Sequence, residues 1–314
     1  MKLHEDTDAF LAILQRVNES SGVRVDILEK DYYVTLLLKE LAEKQNSLPA
    51  YFKGGTALYK ALGTIQRFSE DIDLTVCVDD CTTAQARFRL EEAAQGYGSL
   101  RRTENKDMED CHESSISCVY DYSPISSFPA NDPLQRFGHV RIEATSYTVS
   151  EPTTLVNIAP ALFEKASADQ RSILENNYHV KPFSIKTVKI ERIFIDKVFA
   201  AEFYYGKKRY SDAAKHLYDI AVMYQLDQIK DLLANEVQLQ EMVAYKRKEE
   251  STWSESDLDR KAFADYVLAS DASKNEDFEK AYNRMQEVYV FDDIYLVDFA
   301  LACTTITKVL SAIA

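Results

Sequence analysis

The sequence predicts an α+β fold, with a mixed-sheet core over about residues 50–160 behind two helices, followed by a mostly helical C-terminal lobe. Three observations carry this. Ala50-Tyr51-Phe52, Ile72-Asp73-Leu74-Thr75-Val76 and residues 116–122 and 140–145 read as strands, the longer ones alternating with the period of two that a half-buried strand requires. From about residue 161 the apolar residues recur at helical spacing instead. At 314 residues and 46% hydrophobic, the chain can bury one large core or two moderate ones, and two lobes, 1–160 and 161–314, follow.

In chain order, Phe10, Leu11, Leu14 and Val17 repeat at helical spacing, and a second helix over 27–41 follows Asp26 as its cap. Residues 57–62 have helical spacing that stops at Gly63, so Gly54-Gly55 sits in a turn that opens a helix. Residues 83–94 read as a helix, 116–122 as a strand, and 123–133 as a proline- and serine-containing loop ahead of the strand at 140–145, with Pro152 and Pro160 closing the core. Beyond it, helices are predicted near 185–205, 211–224, 228–246, 257–268, 275–288 and 293–313.

Composition excludes several classes. The start of the chain has no secretory signature, and the most apolar C-terminal stretch is interrupted by Asp298 and Lys308, so neither export nor a membrane span is expected and the protein reads as cytoplasmic. Cys77, Cys81, Cys111, Cys118 and Cys303 are odd in number and lack paired C-x-x-C spacing, which supports neither a disulfide framework nor a zinc site. A net charge of −14 argues against a general nucleic-acid binder, because such binding is driven by phosphate neutralisation. Residues 181–216 depart from that balance, with nine cations against four anions, a basic stretch suited to a triphosphate and a polynucleotide acceptor. Tyr204-Tyr205 and Tyr218 are candidates to stack a base.

The chemistry concentrates in Gly54-Gly55-Thr56 and Arg67-Phe68-Ser69-Glu70-Asp71-Ile72-Asp73-Leu74. Glycine lets a backbone approach a polyphosphate closely, a helix N-terminus favours anions, and Thr56 adds a hydroxyl donor. Asp71 and Asp73 are two apart on a strand, so both carboxylates face one way and Ile72 and Leu74 the other. Aligned carboxylates at this density suit Mg²⁺, which bridges them to substrate phosphates. Glu143 is the candidate third carboxylate, since Val140-Arg141-Ile142-Glu143-Ala144-Thr145 alternates with Arg141, Glu143 and Thr145 on one face; Asp121 is its rival. Singly a Gly-Gly pair is a turn and an Asp-x-Asp a solvated strand edge, whereas in this order they read as a nucleotidyl-transfer site.

At these residues the chain resembles the AbiEii/AbiGii toxin-type nucleotidyltransferases of the DNA polymerase β-like superfamily. Phe52-Lys53-Gly54-Gly55-Thr56-Ala57-Leu58 and the run from Arg67 to Leu74 are similar to that family's first two motifs, and Leu28-Glu29-Lys30-Asp31-Tyr32-Tyr33 resembles its N-terminal helix. Ile195-Asp196-Lys197-Val198-Phe199-Ala200 resembles the helix with the family's lysine, and Lys215-His216-Leu217-Tyr218-Asp219-Ile220 its basic-x-x-Tyr-Asp motif, with His216 where many members carry an acid. The resemblance implies a polymerase β-like core and an NTP, GTP or a pyrimidine NTP, bound between the lobes. Gly54, Gly55, Thr56, Arg67 and Ser69 would cradle its phosphates, Asp71, Asp73 and Glu143 would hold Mg²⁺ or Mn²⁺, Lys197 would meet the triphosphate, and Asp219 would fix that lysine or the nucleotide. It further implies a toxin of a bacterial toxin–antitoxin or phage-defence pair, with a cognate antitoxin and an RNA acceptor, the tRNA 3′ end. Nucleotidylation of a protein hydroxyl is the enzymatic alternative, and a non-catalytic nucleotide-binding module the other.

Overall fold

The computed structural model describes the chain except for residues 64–65, 80, 128–136, 149 and 253–255, so the second half of the loop expected at 123–133 lies outside the described residues. The chain forms two compact units. A sheet unit comprises Met1–Ala61, Glu70–Ser146 and Thr153–Thr187, and a helical unit comprises Leu62–Ser69, Tyr147–Pro152 and Val188–Ala314.

The sheet unit opens with α1 (Thr7–Ser21) and α2 (Val25–Lys44). Asp6 caps α1 by accepting from the Ala9 N–H, and Gly22 ends it at φ 73°. Asp26, expected as a cap, lies inside the first turn of α2, where its charge suits the helix N-terminus and it receives Arg24. Helix α2 has no polar face. Asp26 through Leu38 are buried without a break.

Next come β1 (Ala50–Lys53), the single turn α3 (Gly54–Thr56) running into a π-helix (Ala57–Ala61), β2 (Ile72–Val76) and α4 (Thr83–Ala94). They are followed by β3 (Arg101–Arg102), β4 (Asp110–Cys111), β5 (Ser115–Asp121), β6 (His139–Thr145), β7 (Thr153–Ile158), α5 (Ala161–Glu164), α6 (Ala168–Tyr178) and β8 (Phe183–Val188). The sheet order is β3-β5-β6-β2-β1-β8-β7, with β4 beside β5. It is mixed: β1–β2 and β5–β6 are antiparallel, whereas β2–β6 and β1–β8 are parallel.

Register partners share a face, so Ile72 and Leu74, Ile142 and Ala144, and Ile116 and Cys118 line one side of the sheet. That side packs on α4, through Leu90 and Ala93, and Tyr120 donates to the Ala94 carbonyl at 2.9 Å. Asp73, Glu143 and Ser117 therefore occupy the opposite face.

Residues 161–187, read from periodicity as part of the helical lobe, belong to the sheet unit. Where a helix was expected from 185, Phe183-Ser184-Ile185-Lys186-Thr187-Val188 alternates and pairs with β1, Phe52 opposite Thr187. Gln45 ties the two strands: its amide donates to the Ala50 carbonyl at 2.8 Å and the Lys186 carbonyl at 2.9 Å, and accepts from the Lys186 N–H at 2.8 Å.

The helical unit holds α7 (Ile190–Gly206), α8 (Tyr210–Met223), α9 (Asp227–Ala234), α10 (Glu236–Glu250), α11 (Val267–Asp271), α12 (Glu276–Tyr289) and α13 (Phe299–Ile313). The helix predicted over 228–246 is two, because Asn235 stops the first and caps the second through the Gln238 N–H. The one predicted over 257–268 is mostly turn, with a 3₁₀ segment at Phe263–Asp265 and the start of α11. Residues Asp293–Ile313, mean hydropathy 1.6, do pass the length and composition test for a membrane span despite Asp298 and Lys308. Within the unit, Phe299, Ala302, Cys303, Ile306, Val309, Leu310 and Ile313 form a buried stripe at helical spacing, as in an ordinary core helix.

Gln45→Ala would remove the side-chain partner of two carbonyls, Ala50 and Lys186, and of the Lys186 N–H. The expected loss is about 1–3 kcal/mol in urea denaturation, against a near-neutral Gln238→Ala, half-buried in the first turn of α10.

Candidate active site

Strand β1 places Lys53 opposite Asp73, and the chain then turns at Gly54. Gly54 adopts φ 78°, and a Cβ there would fall 2.1 Å from Asp73 Oδ2 and 2.9 Å from its Cγ. The glycine is needed twice over, for a left-handed backbone and for the carboxylate lying against its Cα. Gly55 and Thr56 are buried, so the Thr56 hydroxyl is packed inside the turn instead of being offered at the surface.

On the other side of β2, the parallel register sets Asp73 directly beside Glu143. Asp71 lies one residue before the strand, and all three acids are partly exposed. Asp121 pairs with His139, four residues along β6 from Glu143, and belongs to a separate surface depression of about 380 Å³ with Arg101, Thr103, Glu104, Asn105, Tyr122 and Ser123. Ser117 is the residue of β5 that faces Glu143.

An all-oxygen set of carboxylates matches the donor preference of a hard divalent cation. Among the described residues no three His, Cys, Asp or Glu side chains gather closely enough to hold one as they stand. Asp73 and Glu143, set side by side by the register, are the residues that could hold such an ion.

In the helical unit, Asp219 on α8 is fully buried and receives both arms of Arg67, Nε and Nη2 each at 2.7 Å, together with Lys197 Nζ at 2.9 Å from α7. Burial alone would raise its carboxyl, yet the charges of Arg67 and Lys197 and their hydrogen bonds hold it at about 2. Arg67, expected on phosphates, thus has its fork engaged by Asp219, while the segment around it is held by the Phe68 N–H donating to the Tyr289 carbonyl at 2.7 Å. Ser69 follows on the same segment, half-buried.

His216 stacks on Tyr204 at 5.3 Å between centroids, and burial followed by the Lys197 charge pushes its imidazole well below the usual range, so it is neutral. Tyr205 and Tyr218 are core residues that donate to Asp271 and the Tyr295 carbonyl, which leaves Tyr204 as the half-exposed ring of the three base-stacking candidates. The basic stretch divides. Arg192 and Lys197 are buried in ion pairs, Lys181 and Lys186 lie in the sheet unit, and Lys207, Lys208 and Arg209 stand exposed at the α7–α8 turn.

The family model described as nucleotidyl transferase AbiEii toxin, type IV toxin–antitoxin system, matches residues 36–302. The chain belongs to this family. It is a nucleotidyltransferase with an NTP as substrate, and the toxin of a type IV pair with a cognate antitoxin. The α+β class with a mixed sheet, read from the sequence, is the one the structure shows. Among solved structures the chain is similar to MenT4, a nucleotidyltransferase toxin from Mycobacterium tuberculosis H37Rv, at 14% identity over 87% of this chain and 98% of that one, with a TM-score of 0.38. Comparison with curated proteins finds no match.

Sequence reasoning gave no role to three consecutive buried charges of this AbiEii toxin, Glu29, Lys30 and Asp31. Glu29 accepts from the Ile125 and Ser126 N–H groups at 2.8 and 3.0 Å, and Asp31 accepts from Lys60 Nζ at 2.6 Å and the Ala161 N–H at 2.5 Å. The signal was present: charges set in a helix whose flanking positions are apolar all round must find partners inside.

Gly54→Ala should lower transfer about 100-fold by displacing the Asp73 carboxylate, read as kcat in a nucleotidyl-transfer assay with the fold checked by circular dichroism. Asp219→Asn leaves two buried cations uncompensated and should destabilise by about 3–5 kcal/mol at neutral pH. Because the folded carboxyl sits at about 2, below its ordinary 3.8, the stabilisation is full above about pH 4 and is lost as the pH falls toward 2. The gap between wild type and variant in denaturation should close over that window.

Proposed function

We propose that this toxin transfers a nucleoside monophosphate from an NTP to the 3′ end of an RNA, tRNA in particular, using Mg²⁺ held by Asp71, Asp73 and Glu143. The single observation that carries the reading is the in-register pairing of Asp73 with Glu143 beside a glycine that only an unsubstituted Cα can fill. Mg²⁺, or Mn²⁺ in its place, would neutralise the triphosphate and the charge developing on the attacking and leaving oxygens.

The chain's own groups do the rest. Glu143, partly exposed on β6, accepts the proton of the attacking hydroxyl. That oxygen bonds to the α-phosphorus, the bond to the bridging oxygen breaks, and pyrophosphate leaves with the electron pair. Gly54, Gly55, Thr56 and Ser69 shape the backbone that receives the phosphates. Two cations, Arg67 and Lys197, surround the single carboxylate of Asp219, so one positive charge is in excess there; Lys197 is the group proposed to counter the leaving pyrophosphate. Arg67 and Asp219 hold Lys197 in place. The exposed Lys207-Lys208-Arg209 turn supports contact with a phosphate backbone, and a cytoplasmic location goes with these substrates.

One observation favours a second acceptor. At a net charge of −14, long-range attraction of RNA is weak, which suits a protein hydroxyl as acceptor. Incubation with each α-³²P-labelled NTP, Mg²⁺, total RNA and cell protein separates the two. Label in tRNA, lost in Asp73→Asn and Glu143→Gln and kept in Asp121→Asn, is the expected result. Label confined to a protein band would replace the RNA reading, NTP binding without pyrophosphate release would support a non-catalytic module, and an active Asp73→Asn would sink the metal assignment.

A further inference from the structure

We propose that Lys30 is a positioning residue for the carboxylate site, clasping the starts of the two strands that carry the acids. The proposal rests on the assignment of Asp71, Asp73 and Glu143 made above. Lys30 is 1% exposed in the middle of α2. Its ammonium lies 3.5 Å from Glu70 Oε2 and donates to the His139 carbonyl. Glu70 is the neighbour of Asp71, and His139 is the first residue of β6, four before Glu143.

The parallel ladder between β2 and β6 begins at Ile72 opposite Ile142. Continued backwards, that register brings Glu70 level with Val140 and next to His139, two positions short of the first ladder pair. One ammonium thus joins the two chains where the ladder has not yet begun. Asp73 and Glu143 are placed by backbone pairing. Asp71 stands in the gap between clasp and ladder, and the ion pair of its neighbour Glu70 with Lys30 extends the alignment toward it.

Stability alone does not call for a lysine here. A buried pair is often replaceable by apolar residues of similar volume at no loss, and sometimes at a gain. What an apolar side chain cannot do is hold both strand starts at once, one by a hydrogen bond to a backbone carbonyl and the other by a charge contact. Helix α2 is a suitable anchor, since it is buried over its whole central length and its flanking Glu29 and Asp31 bind the 125–126 loop and the π-helix through Lys60. The three charges diverge around the helix, and Lys30 alone reaches the carboxylate strands.

The test measures Mn²⁺ binding by electron paramagnetic resonance without nucleotide, on the full chain, so that activity is not the readout. Lys30→Met leaves Glu70 buried beside an apolar group and is paired with Lys30→Met/Glu70→Gln, which removes both charges at nearly constant volume. The double variant should unfold cooperatively near the wild-type midpoint yet bind Mn²⁺ at least about tenfold more weakly, the scale set by groups that orient metal ligands. Asp73→Asn should lose the site. A folded double variant with wild-type Mn²⁺ affinity, alongside a failed Asp73→Asn, overturns the positioning role and leaves the carboxylate assignment standing. A wild type that binds no Mn²⁺, or an Asp73→Asn that binds it unchanged, overturns both.

Discussion

The parallel pairing of β2 with β6 is the constraint on which the rest depends. Its register is fixed by the apolar side: Ile72, Leu74, Ile142 and Ala144 are fully buried, and the Thr145 hydroxyl bonds the Leu74 carbonyl at 3.1 Å. A slip of one residue would turn that whole set outward. Burying each large apolar side chain is worth about 1.5–3 kcal/mol, so the penalty for slipping is several kcal/mol. Against it stands the repulsion of two partly exposed carboxylates on neighbouring strands, about 1–3 kcal/mol at roughly 5 Å for effective dielectric constants between those of water and a protein surface. The core wins, and Asp73 and Glu143 are forced together as a consequence of packing on the far face.

How much of this was legible follows from which forces are local. The strands bearing the acids could be read because alternation is a property of adjacent residues, and the boundaries of α4 matched because Thr82 and Gln85 form a capping box within four residues. The pairing of Glu143 with Asp73 was only a candidate, since it depends on which strands become neighbours, and Asp121 satisfied the same local pattern. Strand β8 reads as part of the helix after it because Ile185, Val188 and Ile193 fall at helical spacing; what selects the strand is the edge of β1 and the amide of Gln45, 141 positions from Lys186. The family resemblance places Arg67 on the phosphates, and nothing in its immediate neighbours points to an ion pair. Its partner, Asp219, is 152 residues away.

The helical unit shows a second use of buried charge. Arg192 and Asp196, one turn apart on α7, form an ion pair at 2.6 Å, and Arg192 reaches Glu249 on α10 at the same distance, while Lys246 joins Asp196, Glu249 and Glu250. Lys197 is one position further along, rotated about 100° around the helix, and pairs with α8 through Asp219. Helix α7 is therefore keyed on two sides, toward α10 by one cluster and toward α8 by the other. Rotation about its axis would break both sets of directed bonds, whereas an apolar interface would tolerate it. The two clusters together fix the rotation of α7, and with it the direction in which Lys197 projects.

Local strain gathers at the same place as the acids. Gly54 is left-handed, and the helix it opens changes within one turn to the wider π form over Ala57–Ala61, an arrangement uncommon outside functional segments. Neither feature is favoured by the residues themselves, since alanine, leucine and lysine prefer an ordinary α-helix. The departure has a visible holder: Lys60, on the π-helix, is drawn inward by Asp31 and donates to the Ala159 carbonyl at 3.0 Å, while Asp31 also fixes the Ala161 N–H. Displacing that ammonium would leave a carboxylate unpaired inside the sheet unit, an expense of several kcal/mol that exceeds the roughly 1–3 kcal/mol of an unfavourable backbone turn. The unusual helix persists because the alternative is worse, and it keeps the bare Cα of Gly54 under the carboxylate of Asp73.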